Sequence, residues 1–198
     1  MRWPITHRVI LDLPHVERNI SSGALAVLVA CCGAATLAIT SLRAADEPAK
    51  KEVVNFSQLL PLLPEAPAGW TADKPEGSTV DAGGFKMTNV HRDYHKGDAG
   101  DAPTVAISII DAAANQEYIG ITTAGWNFSS ESTEGYSKSI NVDAQPGFET
   151  FENEGKHGTL WLMIGKRFFL EIETHHQDAK ELQEWLKRID LKKLATIK

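Results

Sequence analysis

A chain of 198 residues with 26 acidic and 20 basic side chains carries a net charge of −6. That length supports one ordinary domain with a core of its own. The acidic balance, without a basic run, argues against nucleic-acid binding, whose affinity comes mostly from neutralising phosphates. Both cysteines, Cys31 and Cys32, fall in one apolar stretch near the N-terminus. The rest of the chain therefore has no disulfide, no thiolate nucleophile and no cysteine-ligated zinc or iron–sulfur cluster.

The apolar stretch covers residues 23–39 and holds no charge. It is shorter than the ~20 residues of a spanning helix and slightly longer than the ~7–15 of a secretory core. Arg2, Arg8 and Arg18 precede it, against Asp12 and Glu17, while Asp46 and Glu47 follow. This asymmetry keeps the N-terminus in the cytoplasm and sends the rest across. Small residues in Ser41-Leu42-Arg43-Ala44-Ala45 offer cleavage after Ala44 or Ala45. Residues 1–45 thus read first as a signal peptide, and second as an uncleaved membrane anchor with a long basic flank. In a third reading Leu28-Val29-Ala30-Cys31 resembles a lipobox with Cys31 lipidated, although apolar sequence continues beyond it. Each reading places the remainder in the periplasm or at the outer face of the inner membrane. The membrane is touched only through this N-terminal segment.

Residues 46–53 read as a tether and 54–198 as the exported domain. A short helix at 55–60 ends at Pro61 and Pro64. A Pro/Gly turn at 64–70 leads into a strand at 70–75, and 78–84 reads as loop. Residues 85–96 alternate weakly as a strand, and 97–103 form a turn. In the strand at 104–111, Val105, Ile107 and Ile109 share one face. A helix is expected over 112–128, weakened by Gly120 and Thr122-Thr123, then a polar loop at 129–134.

The second half reads as a meander. Strands at 136–142 and 148–152 join through a turn at Gln145-Pro146-Gly147. After a turn at 153–158, strands at 159–164 and 167–174 form a hairpin across Gly165-Lys166, read as type II′. Phe168, Leu170 and Ile172 point inward, Glu171 and Glu173 to water. Asp178 and Glu181 suggest a capping box for a closing helix whose apolar stripe is Leu182, Trp185, Leu186 and Ile189. The fold class is α+β: a single antiparallel sheet with two or three packed helices.

The sharpest local feature is His91-Arg92-Asp93-Tyr94-His95. On a strand, His91, Asp93 and His95 share a face. Two imidazoles and a carboxylate suit Zn(II) or Cu(II). His91 and His95 lie roughly 13 Å apart on a straight strand, so Asp93–His95 with a third ligand is easier. His157 and His175-His176 are the candidates for that ligand. The alternative is a solvated strand face paired with acids. Arg92 and Tyr94 share the other face with Val90, as an Arg–acid pair or an anion site. Trp70, Trp126, Trp161 and Trp185 read as core, or as part of a ligand groove. The cations of 180–198 read as a solvated helix face. Gly135-Tyr136-Ser137-Lys138-Ser139 misses G-x-S-x-G at its last position, and no H-E-x-x-H, phosphate loop or G-x-G-x-x-G occurs. Glu149, Glu152 and Glu154 supply acids, but nothing selects a glycosidase pair.

Several of these features together carry a resemblance. They are Leu62-Leu63-Pro64 with Gly69-Trp70, the middle helix, the Pro146-Gly147 hairpin, Arg167–Ile172 and the Trp185 to Leu191 ending. The set resembles small exported bacterial domains of uncharacterised function and is similar to the Mog1/PsbP-like architecture over about residues 54–195. The resemblance implies a non-catalytic, partner-binding domain and carries over no catalytic residue. The first expectation is therefore an exported, non-enzymatic domain that binds another protein or envelope macromolecule, with no cofactor. The partner is expected at the sheet face or at the loops 76–84 and 97–103. The alternative is a periplasmic Zn- or Cu-binding protein using Asp93, His95, His91 and a distal histidine. An enzyme is the third possibility.

Overall fold

The computed structural model describes residues 52–198. The leader, Cys31 and most of the tether lie outside them. Helix α1 (Phe56–Leu59) runs into a 3-10 turn at Leu60–Leu62. Then come β1 (Thr71–Ala72), β2 (Glu76–Ala82), β3 (Phe85–His95), β4 (Thr104–Asp111) and α2 (Gln116–Thr123). Next are β5 (Ser129–Ser132), β6 (Gly135–Val142), β7 (Gln145–Glu152), β8 (His157–Ile164) and β9 (Phe168–His175). Helices α3 (Lys180–Leu186) and α4 (Leu191–Thr196) close the chain. All nine strands share one antiparallel sheet in the order β1-β3-β4-β9-β8-β7-β6-β5, with β2 also on β3. The α+β class and the second-half meander are as the patterning predicts.

Alternation sorts the side chains. Val105, Ile107 and Ile109 of β4, Leu160 and Leu162 of β8, and Leu170 and Ile172 of β9 are buried on one face. The same cluster takes Leu59 and Leu62 from the first turns, Leu182, Trp185 and Leu186 from α3, Ile189, and Leu194 from α4. Each fully buried aliphatic side chain contributes about 1.5–3 kcal/mol. Helices α1, α3 and α4 therefore lie on the same side of the sheet.

The start of the domain is fastened by one buried carboxylate. Asp111 accepts hydrogen bonds from the Val54 backbone N–H at 2.7 Å, the Ala113 N–H at 3.0 Å, and Arg167 Nε and Nη2 at 3.0 and 2.7 Å. Thr88 Oγ1 donates to the Val54 carbonyl, and Arg167 Nη2 donates to that of Glu52. Residues 52–54 are thus held where β4 ends and β9 begins.

Several local expectations change. Residues 76–82, read mainly as loop, form β2, which turns at Gly83-Gly84 with φ of 60° and 86°. The expected loop at 129–134 contains β5. Both are edge strands with no buried side chain, so neither shows an apolar period of two. The turn expected at Gln145-Pro146-Gly147 lies instead at Asp143-Ala144, with φ of 50° and 63°. Gly147 is inside β7, where a Cβ would collide with the Trp161 carbonyl oxygen. Close strand approach, and not a turn, requires that glycine. Gly165 and Lys166 have φ of 61° and 54°, which is the type I′ pattern and not II′. The long middle helix shrinks to the eight residues of α2. Asp178 does not cap α3, because its carboxylate bonds Lys156 Nζ at 2.8 Å. The apolar stripe continues past a break at Lys187–Asp190 into α4, capped by Asp190 Oδ1 accepting from the Lys193 N–H. Among the described residues no helix is long and apolar enough to cross a membrane.

Candidate functional site

The sheet face away from α1, α3 and α4 carries the polar positions of the central strands. At one end it is covered. Ile119 of α2, Met163, Phe169 and Ala112 form a second small cluster there. Tyr118 and Trp126 stand edge-on to Phe169 at 5.7 and 6.1 Å. Elsewhere the strand register lays the open face out in rows. One runs His91–Ser108–Glu171–Trp161–Phe148, and the next Asp93–Ala106–Glu173–Thr159–Thr150. A third holds His95, Thr104 and His175.

In the first of these rows Trp161 Nε1 donates to Glu171 Oε1 at 2.9 Å, and its ring stacks with Phe148 at 6.5 Å. Phe128, half exposed, leans on Phe148 at 5.2 Å. These four groups share a patch in which Trp161, Glu171 and Phe148 are held on strands and Phe128 sits just before β5. Of the expected tryptophan roles, core fits Trp185, which is buried and meets Trp70 at 5.1 Å and Tyr94 at 4.8 Å. Trp161 faces outward.

The residues expected as metal ligands do share a face, and His91 and Asp93 meet, but His95 does not join them in a group of three ligand atoms. His91 Nε2 lies 3.0 Å from Asp93 Oδ2, and its Nδ1 is 2.9 Å from Ser108 Oγ. Both ring nitrogens are thereby engaged. His95 is separated from the distal histidines because β4 lies between β3 and β9, which puts it about 10 Å from His175 by strand spacing. His176 sits at positive φ in the following turn, its Nδ1 3.4 Å from the Ala102 carbonyl oxygen.

Two of the proposed distal residues meet each other instead. His157 and His175 oppose one another at the open ends of β8 and β9, one step beyond the Gly158–Thr174 pair. Their rings stack at 4.4 Å with an interplanar angle of 4°. Glu173 is two residues along β9 from His175, hence on the same face. Its Oε1 lies 2.8 Å from His157 Nε2 and 3.2 Å from His175 Nε2. Among the described residues these three bring ligand atoms within 4.8 Å of one another, each half-buried. Sequence reasoning missed Glu173, which it assigned to plain solvent exposure. The signal that identifies it is Glu-x-His on a strand opposite a third ligand.

On the core side, Arg92 pairs with Glu65 at 3.2 Å and donates to the Asp73 and Pro64 carbonyls. This is the Arg–acid arrangement and not an open anion site. Tyr94 donates to the Pro64 carbonyl at 2.7 Å, and burial pushes its phenol up to about 12. Glu149, almost fully buried, accepts from Tyr136 OH and Gln183 Nε2, each at 2.6 Å, and pairs with Lys138 Nζ at 2.9 Å. Burial and that bond to a carboxylate hold the Tyr136 phenol above its ordinary range. Asp111 thus accepts from four protein N–H groups and Glu149 from three protein donors, which takes up most of the acceptor capacity of each carboxylate.

Comparison with family models, curated proteins and solved structures found no match for this chain.

Proposed function

We propose that residues 54–198 are an exported, non-catalytic binding domain that meets a protein partner with the open face of its sheet. The observation that carries this reading is the Trp161 row. A solvated face on an antiparallel sheet is ordinary. Ordinary solvation, however, asks only for small or charged side chains, not for an indole held flat between Phe148 and Glu171. Aromatic groups with a fixed polar edge, mounted on rigid strands, are what protein interfaces use as anchors. The engagement of both buried carboxylates, Asp111 and Glu149, by protein donors supports a structural role for them. The Mog1/PsbP-like resemblance of the packing residues supports the same reading by analogy of fold alone. Export is supported by the charge asymmetry around residues 23–39.

The test is site-specific photo-crosslinking in the full chain in its host. A photoreactive residue replaces Thr150 or Ser108 on the open face, or Lys187 just past the end of α3. One discrete adduct from the first two positions, absent from Lys187 and lost when Trp161→Ala is added, is the expected result. Adducts from Lys187 alone, or none at Thr150 and Ser108, would overturn the reading.

A further inference from the structure

We propose that His157, Glu173 and His175 bind a divalent first-row transition metal, Cu(II) or Zn(II), at the end of the open face remote from Asp111. This site is independent of the protein-docking reading, which rests on the Trp161 row.

The convergence is imposed by backbone pairing. A period of two puts Glu173 and His175 on one face of β9. The β8–β9 register then places His157 opposite His175. No loop has to order for the three to meet. Cross-strand partners and i, i+2 neighbours are the shortest side-chain separations a sheet offers on one face.

The donor atoms are close to a binding geometry. A tetrahedral ion about 2.1 Å from each ligand holds those ligands roughly 3.4 Å apart. Here the two nitrogen–oxygen separations are 2.8 and 3.2 Å, and all three atoms lie within 4.8 Å. Small side-chain rotations admit the ion, and side-chain exposures of 34%, 38% and 44% leave room for them. That same exposure leaves the remaining coordination positions to water. Three protein ligands with open positions form an exchangeable site and not a closed structural one.

Here two rings lie flat on each other with both Nε2 atoms aimed at the same oxygen. Without a metal, two neutral rings each donate an Nε2–H to that oxygen, which has a lone pair for each. One cation instead takes all three donors at once, with each ring neutral and its remaining proton on Nδ1. Imidazole and carboxylate together select borderline divalent ions. Calcium and magnesium prefer all-oxygen sites, and copper(I) prefers sulfur. Affinity is expected to be higher for Cu(II) than for Zn(II).

The test uses the full chain in detergent, without a polyhistidine tag, stripped with chelator and titrated calorimetrically with Zn(II) or Cu(II). One ion per chain is expected. His157→Ala and His175→Ala should each weaken binding at least about tenfold, the low end for disturbing a metal site. Glu173→Gln, which keeps size and hydrogen-bonding capacity, should weaken it by a comparable factor. His91→Ala, on the same face outside the cluster, should leave affinity unchanged. Thermal midpoints of the metal-free variants report folding. A fixed metal concentration should raise the midpoint of the unsubstituted chain by more than that of Glu173→Gln. Absence of saturable binding, or one-to-one binding that survives both histidine variants, would overturn the site. Loss of binding with His91→Ala alone would overturn it too.

Discussion

Asp111 shows how one side chain sets a domain's beginning. Its carboxylate is fully buried and gathers two backbone N–H groups and the Arg167 guanidinium. Removing one partner of a buried pair strands the other, at a cost of about 3–5 kcal/mol. Asp111→Ala should lower unfolding free energy by that amount in urea denaturation, with residues 52–54 losing hydrogen-exchange protection first. Tyr94 makes a pH prediction. Its folded phenol titrates near 12, above the ordinary value of 10. Between these values the folded state holds a proton that the unfolded state has lost, so stability falls as pH rises. The contribution is present in full below about pH 10, and the loss reaches about 3 kcal/mol at most by pH 12. Tyr94→Phe should lose about 1 kcal/mol at neutral pH, the net worth of one hydrogen bond. It should also flatten the alkaline limb of a stability–pH curve. Neither role was legible beforehand. Asp111 ends an apolar strand and its partners Val54 and Arg167 are remote in sequence, so only the fold shows that four N–H donors meet there.

At the scale of elements, legibility followed burial. Strands β4, β8 and β9 bury one whole face and were readable from alternation, as was the hairpin about Gly165-Lys166. That hairpin also sets residue 157 opposite 175, so half of the His/Glu cluster was implicit in it. The other half was not, because His91, Asp93 and His95 form the denser run in sequence, while β4 keeps that run apart from β9. Edge strands β2 and β5 were invisible because they bury nothing. Gly147 misled because glycine serves both turns and close strand approach. Gly147→Ala should force β7 away from the Trp161 carbonyl. The expected effect is a loss of at least about 2 kcal/mol, with faster amide exchange across the β7–β8 ladder. Gly155→Ala, in an open turn with nothing near its Cβ position but φ of +72°, should cost about 1 kcal/mol.

At the scale of the molecule, the sheet joins two kinds of pairing. Strands β6 to β9 pair with their chain neighbours, whereas β4 pairs with β9 across more than fifty intervening residues. Loop-closure entropy favours forming the meander first and adding β3–β4 afterwards. Rate analysis of conservative core variants should therefore give higher φ-values at Leu162 and Leu170 than at Val90 and Ile107. The reverse order would mean that β4 nucleates the sheet. The α+β architecture was readable because it is the sum of such patterns, but the part of the sheet face that α2 leaves open, on which both proposals rest, follows only from where the helices pack.

The Asp111 fastening has a geometric consequence. It holds residues 52–54 at the strand ends occupied by Asp111 and Phe168, while His175 closes the other end of β9. Seven strand steps separate the two ends, about 23 Å at the rise of an antiparallel strand. The rigid sheet thus acts as a spacer of set length. Residues 52–54 enter the sheet at one end of that length, and the histidine pair lies at the other.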